Sequence, residues 1–493
     1  MSSPNAQLLK LIPASQLKRH QHQRICYKDG DYWPTYKFLR APESLEELVE
    51  CHSIFSILQE TNDTRILVGP LQEIGSDAVS FEAVDAKNPG GLVTLADDDR
   101  CLFLMYNHVN CTIVGKSDVA VAETAAFLWS LQDESWRIEI CCSTRRFNFS
   151  VVSLDQLNGL FQTHPNVRIK LDVTNISLAQ SRFLAEYPDR IDLILDLSAE
   201  AFADGGDTFV HCLRERKSSF GALVLFAKDY TQNENFRLLL QAEAIDKLVL
   251  PYVGPQQQIH LIFSALVAEV DLTIEVDAAQ GLDWSRMNIV PKELTIAFKV
   301  EYDSEAHTDC VCSFFRRLAE LGDFVKLDFD LCYESDSSVP SRVVTALIDA
   351  IDANQNLQEL ALYQPHGQVT PYLQDIFAAV ARHEGLEFLR LDAYPAETDP
   401  QYNMLKELLK TNRNIQVIDY NWYTFTDDDE IDRLYAFNDF FGDCQDLLEE
   451  SMELLPSLVG EILTQCASHD FRRSAFLMAN HTEALCELMQ YSF

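Results

Sequence analysis

The residues whose types and spacing could do chemistry come in a few short runs. Gly115-Lys116-Ser117 ends like a phosphate-binding loop, in which glycine-rich backbone cradles phosphate oxygens. That motif needs a glycine five residues earlier, where Asn110 stands, and the intervening Cys-Thr-Ile-Val reads as a strand. We read it as a chance match. His307, Cys310 and Cys312 form HTDCVC, but zinc needs a second pair of ligands at matching spacing, and none follows closely. The run opens a helix in which Cys312 and Phe315 face a core. Thr426-Asp-Asp-Asp-Glu has calcium-like acidity but lacks alternate ligand spacing and a glycine turn. Thr426 is expected to cap a helix whose first turn carries the acids. GxSxG, HExxH and GxGxxG are all absent. The expectation is therefore a non-enzyme with no cofactor and no metal.

The remaining chemistry belongs to elements that recur. Short strand-like runs include WRIEIC (136–141), VRIKLDV (167–173), VKLDFDL (325–331), LQELAL (357–362), LEFLRL (386–391) and IQVIDY (415–420). Counted from CTIV (111–114) onward, such runs recur about every 28 residues. Helix-like segments separate them. In Ser341–Ala353 the residues Val343, Val344, Leu347, Ile348 and Ile351 make one apolar stripe at a 3.6-residue period. Pro371–His383 repeats the stripe, as do Leu405, Leu408 and Leu409. Polar turns at Asn354, His383 and Asn412 close these helices. A strand and a helix that cannot bury both faces alone must stack with their neighbours, giving a parallel sheet with helices on its outer side.

Leu357-x-x-Leu360-x-Leu362 and Leu386-x-x-Leu389-x-Leu391, with the junction Thr411-Asn-Arg-Asn-Ile-Gln-Val-Ile, resemble the leucine-rich repeat. Repeat length and full helices resemble its ribonuclease-inhibitor-like class. The C-terminal segment is loosely similar to the tail of large leucine-rich-repeat families of algae and protists. The resemblance implies an α/β solenoid, a horseshoe with its parallel sheet on the concave face and a cap at each end. We divide the chain into an arm with a helical segment (1–60), a β-rich cap (61–108), the repeat region (109–426) and a helical cap (427–493). Within 1–60 the helix-like run is 43–60, and the basic start (Lys18, Arg19, Arg24, Lys28) reads as a loose arm.

Strand alternation then selects a binding face. With Leu360, Leu362, Leu389 and Leu391 turned inward, Tyr363, Arg390, Asp392 and Tyr394 face the groove. By the same rule Asp328 and Asp330, then Asp419, Asn421 and Tyr423, and further back Glu275 and Asp277, line it. Arg137, Arg168 and Lys170 form a small basic patch near its start. The candidate partner-binding residues are Asp328, Asp330, Tyr363, Arg390, Asp392, Tyr394, Asp419 and Tyr423.

Composition narrows the partner. Lys+Arg total 39 and Asp+Glu 76, a net charge of −37. Such a surface repels phosphate backbones and anionic lipid, so neither nucleic acid nor membrane is expected. Thirteen scattered cysteines, many in apolar runs, fit free thiols in a reducing, cytoplasmic or nuclear setting. No secretory signal or 18-residue apolar span is evident. The expected function is an interaction scaffold that binds a basic protein or peptide, its oligomeric state open with self-repulsion favouring a monomer. The alternative is a substrate-receptor subunit of a ubiquitin ligase, for which Leu455-Pro-Ser-Leu-Val is only a faint echo of an F-box.

Overall fold

The computed structural model describes residues 8–18, 33–49, 54–70, 98–133, 135–142, 146–196, 201–226, 234–251, 256–300, 304–333, 339–363, 370–383, 385–395, 398–427 and 430–438. They carry 17 strands, mostly parallel, alternating with helices. The chain divides into two compact units, Met1–Leu272 and Thr273–Phe493.

The first unit begins with β1 (Leu9–Ile12), β2 (Thr35–Phe38), α1 (Glu46–Val49), β3 (Phe55–Gln59), β4 (Thr64–Pro70), β5 (Arg100–Met105) and β6 (Val109–Gly115). Here β1–β2, β3–β4, β4–β6 and β5–β6 pair antiparallel and β2–β3 parallel. Three expectations change. Only Glu46–Val49 of the run 43–60 is described as helix, and Phe55–Gln59 is a strand. The reason is that its residues zip against Thr64–Val68 and are buried on both faces from Phe55 to Leu58. Part of the supposedly loose arm, Leu9–Ile12, is pinned to Thr35–Phe38, while Arg19, Arg24 and Lys28 lie outside the described residues. The run 111–114 is not the first rung of a parallel repeat. It sits in β6, antiparallel to both neighbours, and all seven β6 residues are buried.

The run of successive parallel pairings starts at β7 (Arg137–Cys141), which takes β5 antiparallel on one side and β8 (Arg168–Asp172) parallel on the other. It continues through β9 (Asp192–Asp196), β10 (Gly221–Phe226), β11 (Ile245–Leu250) and β12 (Glu269–Glu275), within which the unit ends. The connecting helices are α2 (Asp118–Trp129), α3 (Leu154–Thr163), α4 (Leu178–Glu186), α5 (Asp207–Glu215), α6 (Glu234–Leu239) and α7 (Gln256–Phe263). Both α3 and α4 start with a full capping box, Ser153 with Gln156 and Ser177 with Gln180. Gln180 does more than cap. Its buried amide donates to Phe149 O at 2.9 Å and Val152 O at 2.7 Å, tying α4 to the preceding turn. Ser177→Ala should therefore cost about 1 kcal/mol, and Gln180→Ala about 2–3 kcal/mol, because it removes two buried hydrogen bonds. Urea unfolding midpoints of the two variants check this order.

The second unit holds α8 (Val276–Ala279), β13 (Glu293–Val300), α9 (Glu305–Leu321), β14 (Lys326–Tyr333), α10 (Ser341–Ala353), β15 (Glu359–Tyr363), α11 (Leu373–Ala381), β16 (Phe388–Leu391), α12 (Asn403–Thr411) and β17 (Gln416–Ile418). From β13 to β17 each strand pairs parallel with the next. Leu294, Leu327, Leu360, Leu389 and Val417 share one register row and are all fully buried. The α10 stripe lies against this core, with Val343, Leu347, Ala350 and Ile351 buried.

A polar ladder joins the helix ends of this unit. The Asn354 amide donates to Leu318 O at 3.3 Å and Ala350 O at 2.7 Å, and its Oδ1 accepts Phe324 N–H at 3.1 Å. His383 Nε2–H donates to Asn354 O at 2.7 Å. Asn412 donates to Val380 O at 3.3 Å and His383 O at 2.8 Å, and Asn438 to Leu409 O at 2.9 Å. These side chains add bonds from one rung to carbonyls near the helix end of the rung before, several of which also accept a local backbone N–H. A helical segment over 430–438 closes the described part of this unit. The helices expected beyond it, and Leu455-Pro-Ser-Leu-Val, lie outside the described residues.

Candidate functional site

In the second unit the strand register arranges side chains of the face opposite the leucine row into a lattice. One row reads Thr295, Asp328, Ala361, Arg390, Ile418. The next contains Ala297, Asp330 and Tyr363, and Asp392, one residue past the end of β16, lies near enough for its charge to act on Asp330. Of the eight sequence-derived candidates, Asp328, Asp330, Tyr363, Arg390 and Asp392 belong to this face.

The other three do not line it as expected. Val417, not Ile418, falls in the leucine row, Ile418 ends β17 in the row of Arg390, and in the turn beyond it Tyr420 and Trp422 contact Arg390. Assigning Asp419, Asn421 and Tyr423 to the face is a one-residue slip, which exchanges faces because the strand period is two. Asp419 instead closes a turn, its Oδ1 accepting the N–H of Asn421 at 2.7 Å and Tyr423 at 2.9 Å. The Tyr423 N–H bond leads in holding this carboxyl below its usual range. Tyr423 is 73% exposed. Tyr394 follows the end of β16, where alternation has lapsed, and is buried. Its ring stacks on Tyr402 at 4.6 Å, and its hydroxyl donates to Asp399 at 2.7 Å. Asp399 also accepts Met404 N–H at 2.8 Å.

The slip hid two residues of the face, Tyr420 and Trp422. The Arg390 guanidinium lies 4.4 Å from the Trp422 ring centre and 5.6 Å from that of Tyr420, and it pairs with Glu359. Trp422 takes a left-handed backbone angle, φ +66°, and remains 59% exposed. Tyr420 packs edge-on against Tyr363 at 5.0 Å and donates to Asp328 at 3.4 Å. Burial, then the Asp328 charge, push the Tyr420 hydroxyl well up.

Asp330 is the electrostatic centre. Its Oδ1 is buried and meets no hydrogen-bond donor among the described residues. Burial, with Asp328 and Asp392 adding and Lys299 opposing, pushes its carboxyl up to about 6. The folded state then holds a proton that the unfolded state, near 3.8, has released. Stability must fall as pH rises from about 4 through about 6, so ionised Asp330 costs stability at neutral pH. Asp330→Asn should raise stability by about 1 kcal/mol at pH 7, a figure reduced from the full electrostatic cost because water reaches part of the side chain. Below about pH 4 the gain should vanish, which denaturant titrations at both pH values will test.

Other sequence-derived features resolve as structural chemistry. Asp277 is in α8, not on a strand, and accepts His307 Nε2–H at 2.7 Å. Cys310 and Cys312 are buried in α9, and Trp284 Nε1–H donates to Cys310 Sγ at 3.5 Å. No group of three or more His, Cys, Asp or Glu among the described residues is arranged to hold a metal. Lys116 pairs with Asp98 at 2.6 Å and Asp99 at 3.0 Å, and Ser117 caps α2. Asp427 accepts Ile431 N–H at 2.9 Å, the capping role expected of Thr426, whose hydroxyl turns to Asp432. In the first unit Arg137 and Lys170 of the basic patch share Glu139, at 2.8 and 3.3 Å, while Arg168 stays exposed.

These features define a repetitive α/β protein, compatible with a repeat solenoid, whose C-terminal strands carry an acidic and aromatic face. No described helix is long and apolar enough to cross a membrane. Comparison with protein-family models, curated proteins and solved structures finds no match to this chain.

Proposed function

We propose that this chain is a non-enzymatic interaction scaffold that binds a basic protein or peptide on the open face of β14–β17. The carrying observation is the pairing of Asp330 with Tyr363 across β14 and β15, with the charges of Asp328 and Asp392 acting on Asp330. A desolvated carboxylate next to half-buried rings favours cationic partners, both in encounter rate and in contact. The leucine rows, the helix-end ladder and the LxxLxL runs support a leucine-rich-repeat horseshoe of the ribonuclease-inhibitor-like class. In it this face is the concave one, and the antiparallel strands at the start act as a cap. Eight free cysteines among the described residues, seven of them buried, support a reducing, cytoplasmic or nuclear setting. The net charge of −37 supports a monomer and argues against nucleic acid and anionic lipid. The test captures partners from native lysate with the wild type and with an Asp328→Lys/Asp330→Lys/Asp392→Lys variant of verified fold. Basic partners retained only by the wild type support the reading, and an unchanged partner set overturns it.

A further inference from the structure

The face already holds one cation of its own. Arg390 is gripped by a carboxylate, Glu359, and by the ring faces of Trp422 and Tyr420. Its side chain is only 12% exposed. It is directed to Glu359. One row on, the same kinds of group recur without such a cation. Asp330 and Asp392 form no ion pair or hydrogen bond with any described residue, and Lys299 on β13 acts on Asp330 only through its charge. Tyr363 pairs with Asp330 on the neighbouring strand β15, Asp392 lies just past the end of β16 on its other side, and Tyr420 packs edge-on against Tyr363. Neighbouring strands are about 4.8 Å apart, so β14 and β16 lie about 10 Å apart with the strand of Tyr363 between them.

We infer that Asp330, Tyr363 and Asp392 form a clamp for an arginine side chain of a basic partner, repeating the arrangement that holds Arg390. The inference rests on the reading of this face as the docking site for a basic partner and adds the side chain it selects. A guanidinium suits the gap better than an ammonium. It is planar, it stacks on a ring, and its forked donors reach carboxylates on two sides, whereas lysine brings one compact and strongly hydrated charge. Guanidinium also gives up water more readily, which matters beside a carboxylate oxygen already buried.

The full-length chain would be titrated into fluorescein-labelled octa-arginine and octa-lysine, read by anisotropy at about 0.15 M salt. The wild type should bind octa-arginine about tenfold tighter than octa-lysine. Tyr363→Ala and Asp330→Asn should each remove that preference, and Tyr363→Phe, which keeps the ring, should retain it. Circular dichroism verifies folding of each variant. Equal affinity for the two peptides, or a preference that survives Tyr363→Ala, overturns the clamp. Charge reversal at Asp328, Asp330 and Asp392 separates the two levels. If it weakens both peptides while the wild type shows no arginine preference, the acidic-face reading stands and the clamp falls. If it changes neither, the reading falls and the clamp with it.

Discussion

Asn354→Ala should destabilise the protein by about 3–5 kcal/mol, well beyond the range of an ordinary surface substitution. The side chain serves Leu318 O, Ala350 O and Phe324 N–H simultaneously, and it is fully buried. Alanine leaves Ala350 O and Phe324 N–H without the side-chain bond, each costing about 1–3 kcal/mol, while Leu318 O loses one bond and keeps Gly322 N–H at 3.0 Å. Those groups come from three places, the end of α9, the end of α10 and the turn before β14. Their loss should loosen two rungs together, so the unfolding transition should broaden as well as shift. Chemical denaturation with matched hydrogen-exchange protection at β14 and β15 will measure both. A loss below about 1 kcal/mol would mean that the ladder is not what joins the rungs. Asn354→Asp is the sharper control, because it keeps the acceptor for Phe324 N–H and removes both donors.

The largest functional effect should come from Asp328→Lys/Asp330→Lys/Asp392→Lys. A charge pair near 4 Å is worth about 1–4 kcal/mol at effective dielectrics of 80 to 20. Reversal replaces attraction with repulsion at three neighbouring positions. Affinity for a basic partner should fall at least about 100-fold at low salt, chiefly through slower association, with the salt dependence flattened. At about 1 M salt the two proteins should converge, since screening then acts within about 3 Å. Titrating a captured partner against both proteins at two ionic strengths tests this. The same partner should bind the wild type less well below about pH 6, because Asp330, pushed up to about 6, then carries its proton. Lys299, Asp328, Asp392 and Tyr420 are the other ionisable groups acting at this position. A partner that binds equally at pH 5 and pH 7 does not use the Asp330 carboxylate.

Much of this architecture was legible in residue order. From β7 onward the strand runs sit where the apolar alternation puts them, and Ser341–Ala353 is the helix its stripe describes. Local spacing carries such information because a period of two and a period of 3.6 bury different residues, and burial is what stabilises each element. The polar residues closing the helices were also visible. Their bonding was not, since Asn354 and His383 reach groups about 30 residues away. At the start of the chain the local pattern misled. Phe55–Gln59 falls in the same helix-like run, 43–60, as the helix Glu46–Val49, and only the partner strand Thr64–Val68 decides that it is extended.

For the candidate site, the sequence by itself determined the net charge, the strands that bear the face and the acidic residues of VKLDFDL. Those follow from composition and alternation, which need no knowledge of neighbours. Tertiary structure alone decided the rest. Whether Val417 or Ile418 joins the leucine row is set by pairing with Leu389, and that single step removes Asp419 and Tyr423 from the face and brings in Tyr420 and Trp422. Tyr394 was lost from the face because the chain leaves the sheet after Leu391 and its hydroxyl finds Asp399. Register depends on hydrogen bonds between segments distant in sequence, and a shift of one residue costs nothing that a single strand can register.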